Sequence, residues 1–85
     1  MSYKITYKKS VYKDLAKLEK IDAKKIIARI DKELKTNANK YPVLKGMFRG
    51  MRKLRVGNYR IIYSIINDEV LILRIAHRKE VYKIQ

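Results

Sequence analysis

The chain has no cysteine and no tryptophan, one histidine, one proline and three glycines among 85 residues. Without cysteine there is no disulfide framework, no thiolate nucleophile and no sulfur-ligated zinc. A single histidine leaves a conventional zinc site short of ligands, so no metal is expected. Acidic residues are scarce, eight against twenty-two Lys and Arg. The adjacent pair Asp68-Glu69 falls on an expected turn, where solvated acids are ordinary, and offers little to general acid–base chemistry. Ser64 lies in mid-strand without the glycine elbow of a serine nucleophile. Gly46 to Gly50 forms a G-x-x-x-G run with no helix behind it, which is no phosphate loop. No apolar run approaches the roughly 20 residues that span a bilayer. The opening Met1 to Tyr7 lacks the apolar stretch of a signal peptide. These absences lead to the expectation of one soluble, cytoplasmic domain over residues 1–85, with no membrane partner and no small-molecule cofactor.

What the chain has in abundance is positive charge. Its formal net charge is +14, against the 2–8 or so that solubility asks of a small domain. Self-repulsion of that size implies a polyanionic partner: nucleic acid, an acidic protein or an anionic surface. Residues 1–42 carry eleven Lys and one Arg, whereas residues 43–85 carry six Arg and four Lys. Lysine is a well-hydrated point charge, while arginine presents a planar fork suited to phosphate. Specific anion contacts are therefore expected in the second half.

The apolar pattern gives the fold. Tyr3, Ile5 and Tyr7 alternate with polar residues, as in a half-buried strand. Val11, Leu15 and Leu18 then repeat at helical spacing after Ser10, an expected N-cap. Asp22 is the expected cap of a second helix, whose apolar set is Ala23, Ile26, Ile27, Ile30 and Leu34. Tyr41-Pro42 ends it. From Lys53 the period changes to two. Gly57-Asn58 and Asn67-Asp68-Glu69 read as turns between strands Lys53 to Val56, Tyr59 to Asn67 and Val70 to Ala76. The expected class is α+β: an N-terminal strand, an antiparallel helical hairpin and a three-stranded antiparallel meander. Ile26, Ile27, Ile30 and Leu34 should pack on Leu54, on Ile61 or Ile62, and on Leu71 or Leu73.

The candidate chemistry is a cluster of cations. Lys53 and Arg55 share one side of a strand, and Arg60 lies just across the Gly57-Asn58 turn. Arg78 and Tyr82 follow the last strand. From spacing alone two readings stand: a solvated basic sheet edge that blocks edge-to-edge pairing, or a phosphate site. Tyr82 is likewise either a core-packing ring or a base-stacking one.

The run Leu44-Lys45-Gly46, Arg49-Gly50 and Lys53 to Tyr63, reading KLRVGNYRIIY, resembles the RelE/ParE toxin superfamily, written loosely L-K/R-G … R/K-L-R-x-G-x-Y-R-x-x-Y. The close, Ile75 to Tyr82, is similar to that family's I-x-H-R-x-E-V-Y ending. The likeness covers nearly the whole chain and implies a RelE-like fold in a toxin of a type II toxin–antitoxin pair. Its RelE branch implies a ribosome-dependent mRNA endonuclease. There the RNA's 2′-hydroxyl attacks the phosphate without a metal, leaving a cyclic phosphate and a 5′-hydroxyl. Carried over by position, Lys53 takes the role of the proton-accepting lysine, Arg60 and Arg78 hold the phosphate, and Tyr82 stacks on a base. Lys45, Arg49, Arg52, Arg55 and His77 fall on accessory RNA or phosphate positions, His77 also as an available acid. Some members carry a second lysine where this chain has Met51. The implied partners are a cognate acidic antitoxin, the ribosome and mRNA. The ParE-like branch, which poisons DNA gyrase, shares the fold but generally lacks this cationic set. A non-catalytic basic nucleic-acid or ribosome-binding module is the third reading.

Overall fold

The computed structural model describes residues 2–45 and 50–79. Strand β1 (Lys4–Tyr7) leads into helices α1 (Lys9–Ala16) and α2 (Lys20–Arg29). A π-helical turn (Ile30–Leu34), a short α-helical turn (Lys35–Asn37) and a 3-10 turn (Ala38–Lys40) continue α2. Strands β2 (Arg52–Val56), β3 (Tyr59–Ile66) and β4 (Glu69–His77) complete the chain.

The expected meander is present. Arg52 to Val56 pairs antiparallel with Tyr63 to Tyr59, and β3 pairs antiparallel with β4. The structure adds β1, which pairs parallel with β4 from Lys4–Glu69 to Tyr7–Ile72, giving the sheet order β1-β4-β3-β2. A parallel neighbour needs a long crossover; here the helical segment and β2–β3 lie between. Local periodicity carries no trace of such a pairing.

The helices cover one face of the sheet. Val11, Ile26, Ile30, Leu34 and Ala38 meet Leu54, Ile61, Tyr63, Val70, Ile72 and Ile75 in one buried cluster. Ile26, Ile30, Leu34 and Ala38 are spaced by four residues, which in an α-helix drifts about 40° per step at 3.6 residues per turn. The wider π-turn in mid-row reverses that drift, so all four stay on the core. The Tyr63 hydroxyl, which burial pushes strongly toward its neutral form, donates to the Ala38 carbonyl at 2.6 Å. The end of the helical run is thereby tied to the sheet.

Several expectations are corrected. The helices begin at Lys9 and Lys20, after extended Lys8 and Glu19, and neither N-terminus has a side-chain cap bond. Ser10 and Asp22 are therefore inside the helices. Ile27 is 38% exposed and misses the core. A register shift between Ile62 and Tyr63 leaves Leu73 as an extra residue in β4. Strict alternation from Val70 and Ile72 would turn Arg74 into the core; the bulge turns Ile75 in instead. Core positions on β4 are thus Val70, Ile72 and Ile75 rather than Leu71 or Leu73. No helix among the described residues is long and apolar enough to cross a membrane.

Candidate nucleic-acid interface

Strand alternation divides β2 and β3 between two faces. Leu54, Ile61 and Tyr63 face the helices, so Lys53, Arg55, Arg60 and Ile62 face away. The tight Gly57-Asn58 turn, with Gly57 at φ 57°, joins Val56 directly to Tyr59 and sets Arg55 opposite Arg60. Arg60 in turn pairs with Ala76 on β4. One step along, Lys53 stands opposite Ile62, which stands opposite Arg74. Two cross-strand rows therefore carry Lys53, Arg55 and Arg60 on the helix-free face, with Arg74 at the β4 end of the second row, where it also lines a cleft with Asp14 and Lys17. Ile62 is buried between two of these cations, at 2% exposure, as an apolar floor.

The environment of Arg60 distinguishes it. Its Nε and Nη1 are buried and have no hydrogen-bond partner among the described residues. Buried donors without acceptors are rare and costly. Arg55 lies directly across and adds a like-charge pair, which by itself destabilises a sheet. Arg55 Nε donates to the Gly57 carbonyl at 3.4 Å. A phosphate would satisfy both guanidinium groups.

The other sequence candidates divide. Arg78 follows β4 at the same end of the sheet, exposed, with its backbone N–H donating to the Asn58 carbonyl at 2.8 Å. Lys45 is exposed and lies just past the Val43–Arg52 bridge. Arg49 and Tyr82 lie outside the described residues. Arg52 is not brought to the cation rows. Paired with core-facing Tyr63, it donates from Nη1 to the carbonyls of Tyr41, at 2.7 Å, and Asn39, at 3.2 Å, closing the end of the helical run. His77 is also placed elsewhere. Its ring meets Tyr59 edge-on, with centroids 5.9 Å apart, between two clefts on the helix side of the sheet. Tyr59 donates to Asp22 Oδ2 at 3.4 Å, and burial, then the Asp22 charge, raises its pKa.

Arg74 was not singled out from sequence. It breaks the alternation of β4, and that break was the one available signal that it leaves the core face. Among the described residues no group of three potential metal ligands is assembled.

Residues 5–82 match the family model described as ParE toxin of type II toxin–antitoxin system, parDE. No curated protein sequence matches. Among solved structures, the RelBE2 toxin–antitoxin complex from Mycobacterium tuberculosis contains a chain with a TM-score of 0.86 and 24% identity, covering 94% of this chain and 95% of that one. The archaeal RelE–RelB complex from Pyrococcus horikoshii gives 0.72 and 26%, covering 95% and 100%. The chromosomal ParDE system of P. aeruginosa gives 0.75 and 17%, covering 89% and 96%.

Proposed function

We propose that this chain, which belongs to the RelE/ParE superfamily of type II toxin–antitoxin toxins, is the ribosome-dependent mRNA endonuclease of its pair. One observation carries the reading: Arg60 has two buried guanidinium nitrogens with no hydrogen-bond partner among the described residues, near Arg55 and Lys53 on the helix-free face of the sheet. A gyrase-binding surface has no need of a desolvated arginine fork. An anionic transition state does.

The 2′-oxygen of the RNA bonds to the adjacent phosphorus as its proton passes to Lys53. The bond from phosphorus to the 5′-oxygen breaks, leaving a 2′,3′-cyclic phosphate and a 5′-hydroxyl. The 5′-oxygen is protonated by the proton that Lys53 takes from the 2′-hydroxyl, relayed through water, so the step is neutral overall. Charge builds on the non-bridging oxygens in between, and Arg60, preorganised by the sheet, offsets it, with Arg78 closing from the end of β4. Tyr82 has the base-stacking role, which holds the nucleotide at the point of attack. His77, turned toward Tyr59 on the other face, has no part in this scheme.

The second reading, a ParE-like gyrase inhibitor, is favoured by the family model and by the ParDE neighbour. Mapping 5′ ends on messages in a cell-free translation system, alongside a gyrase supercoiling assay, separates the two. New 5′-hydroxyl ends that vanish with Arg60→Ala are expected. An intact message with inhibited gyrase overturns the reading.

The Mycobacterium structure is a toxin–antitoxin complex and the Pyrococcus one a RelE–RelB complex. The corresponding partner here is an acidic, amphipathic segment that covers the cation rows. Such a partner is steered by the +14 charge, so raised salt should slow association far more than it speeds dissociation. Stopped-flow association across a salt series checks this; a salt-insensitive rate removes steering as the reason for the charge.

A further inference from the structure

The helical layer sorts its charges by sign. Three of its acids turn inward. Asp14 Oδ2 accepts from the Ile75 backbone N–H at 3.0 Å, Asp22 Oδ2 from the Tyr59 hydroxyl at 3.4 Å, and Glu33 Oε1 from the Tyr41 hydroxyl at 3.2 Å. Only Glu19 and Asp31 stay exposed between Lys8 and Lys35, whereas every Lys and Arg in that stretch is exposed. The outward surface is therefore more basic than the composition of the helices implies.

The lysines also have a register. Lys9, Lys13 and Lys17 recur every four residues, about 6 Å apart along the axis and roughly 160–240° around from buried Val11. Lys24 stands two residues before buried Ile26, as Lys9 does before Val11. This face is on the far side of the molecule from Arg60, because the core lies between the helices and the sheet.

We propose that the outward face of α1 and α2 is a second, sequence-independent binding surface, for the phosphate backbone of a duplex nucleic acid. Charge complementarity selects the partner. The stripe is lysine, a hydrated point charge that suits phosphate oxygens in a groove-less contact and is depleted from protein–protein interfaces. The face has a single arginine on its two helices, Arg29, and its exposed ring, Tyr12, is tilted against Tyr7 with centroids 6.3 Å apart. It holds a backbone and leaves sequence unread. The surface does not depend on cleavage at Arg60, and the two faces together let one small chain bridge two anionic strands.

The test compares two charge-matched variants, Lys9→Gln/Lys13→Gln/Lys17→Gln and Lys4→Gln/Lys40→Gln/Lys79→Gln. Glutamine keeps helix propensity close to that of lysine, and all six positions are exposed. Binding is titrated against an RNA duplex of about twenty base pairs, its DNA counterpart and polyglutamate, across a salt series. The helix variant should bind both duplexes more weakly than the control variant, with a log–log salt slope shallower by roughly three, one per lysine. Equal behaviour of the two variants overturns the proposal. So does loss of polyglutamate binding with duplex binding intact, which would make the face a dock for an acidic protein; exposed Tyr12 and Ile21 on the same helices would then be its apolar anchors. The readout contains no cleavage step, so it stands or falls separately from the endonuclease reading.

Discussion

Arg60 stands where a cation weakens the fold that holds it. Two of its nitrogens are buried without an acceptor among the described residues, and another arginine faces it across the strand pair. A group placed against stability in this way is expected to serve a ligand. Arg60→Leu should therefore stabilise the free protein, by about 1 kcal/mol at low salt, while abolishing cleavage. Chemical denaturation beside a cleavage assay checks both halves. Arg60→Ala should lose roughly 2–4 kcal/mol of transition-state stabilisation, about thirty- to nine-hundredfold in rate. Sequence made this residue conspicuous through its motif. That its nitrogens have no acceptor among the described residues depends on what surrounds it in three dimensions, and no spacing along the chain could reveal that.

At the scale of elements, α2 shows what periodicity reads well and where it stops. The set Ile26, Ile30 and Leu34 is legible because an apolar face must repeat near 3.6 residues. Ile27 looks equivalent in that pattern, yet it is 38% exposed while Ile26 is 1% exposed. Ile26→Ala should cost about 2–5 kcal/mol through lost burial and a residual cavity, and Ile27→Ala well under that. Urea midpoints of the two variants decide it, and equal losses would mean a rotated helix. The turns at Gly57-Asn58 and Asn67-Asp68 were legible because few residues accept their backbone geometry, Asn67 sitting at φ 56°. The parallel pairing of β1 was not, since it depends on a partner strand distant in sequence, and the bulge at Leu73 left one sign alone, the broken alternation at Arg74. The same limit separated His77 and Arg52 from the cation rows: motif position placed them there, but the pleat turned them to the other face.

For the whole molecule, the tyrosines set an alkaline limit. Tyr7 is raised to about 12 by burial, with the charge of Asp31 and its neighbour Tyr12 adding to the effect. Tyr41, Tyr59 and Tyr63 are raised too, again first by burial. A phenol whose folded pKa exceeds its unfolded value near 10 stabilises the fold fully below pH 10. That stabilisation fades as pH rises through the folded value. Phenolate absorbance should therefore titrate at higher pH in the native protein than in urea, and its late phase should coincide with loss of native structure. Superimposable curves would place these rings in solvent.

The charge belongs to this scale as well. Two surfaces on opposite sides of the sheet share it, an arginine-bearing one suited to chemistry and a lysine-bearing one suited to holding a backbone. The arginine-bearing surface is tested most directly by single-turnover cleavage on programmed ribosomes, using messages with either a ribose or a 2′-deoxyribose at the scissile nucleotide. A 2′,3′-cyclic phosphate and a 5′-hydroxyl are expected from the ribose message, and no product from the deoxy message. Equal cleavage of the two messages would contradict this chemistry, because the attacking oxygen would then have to come from elsewhere.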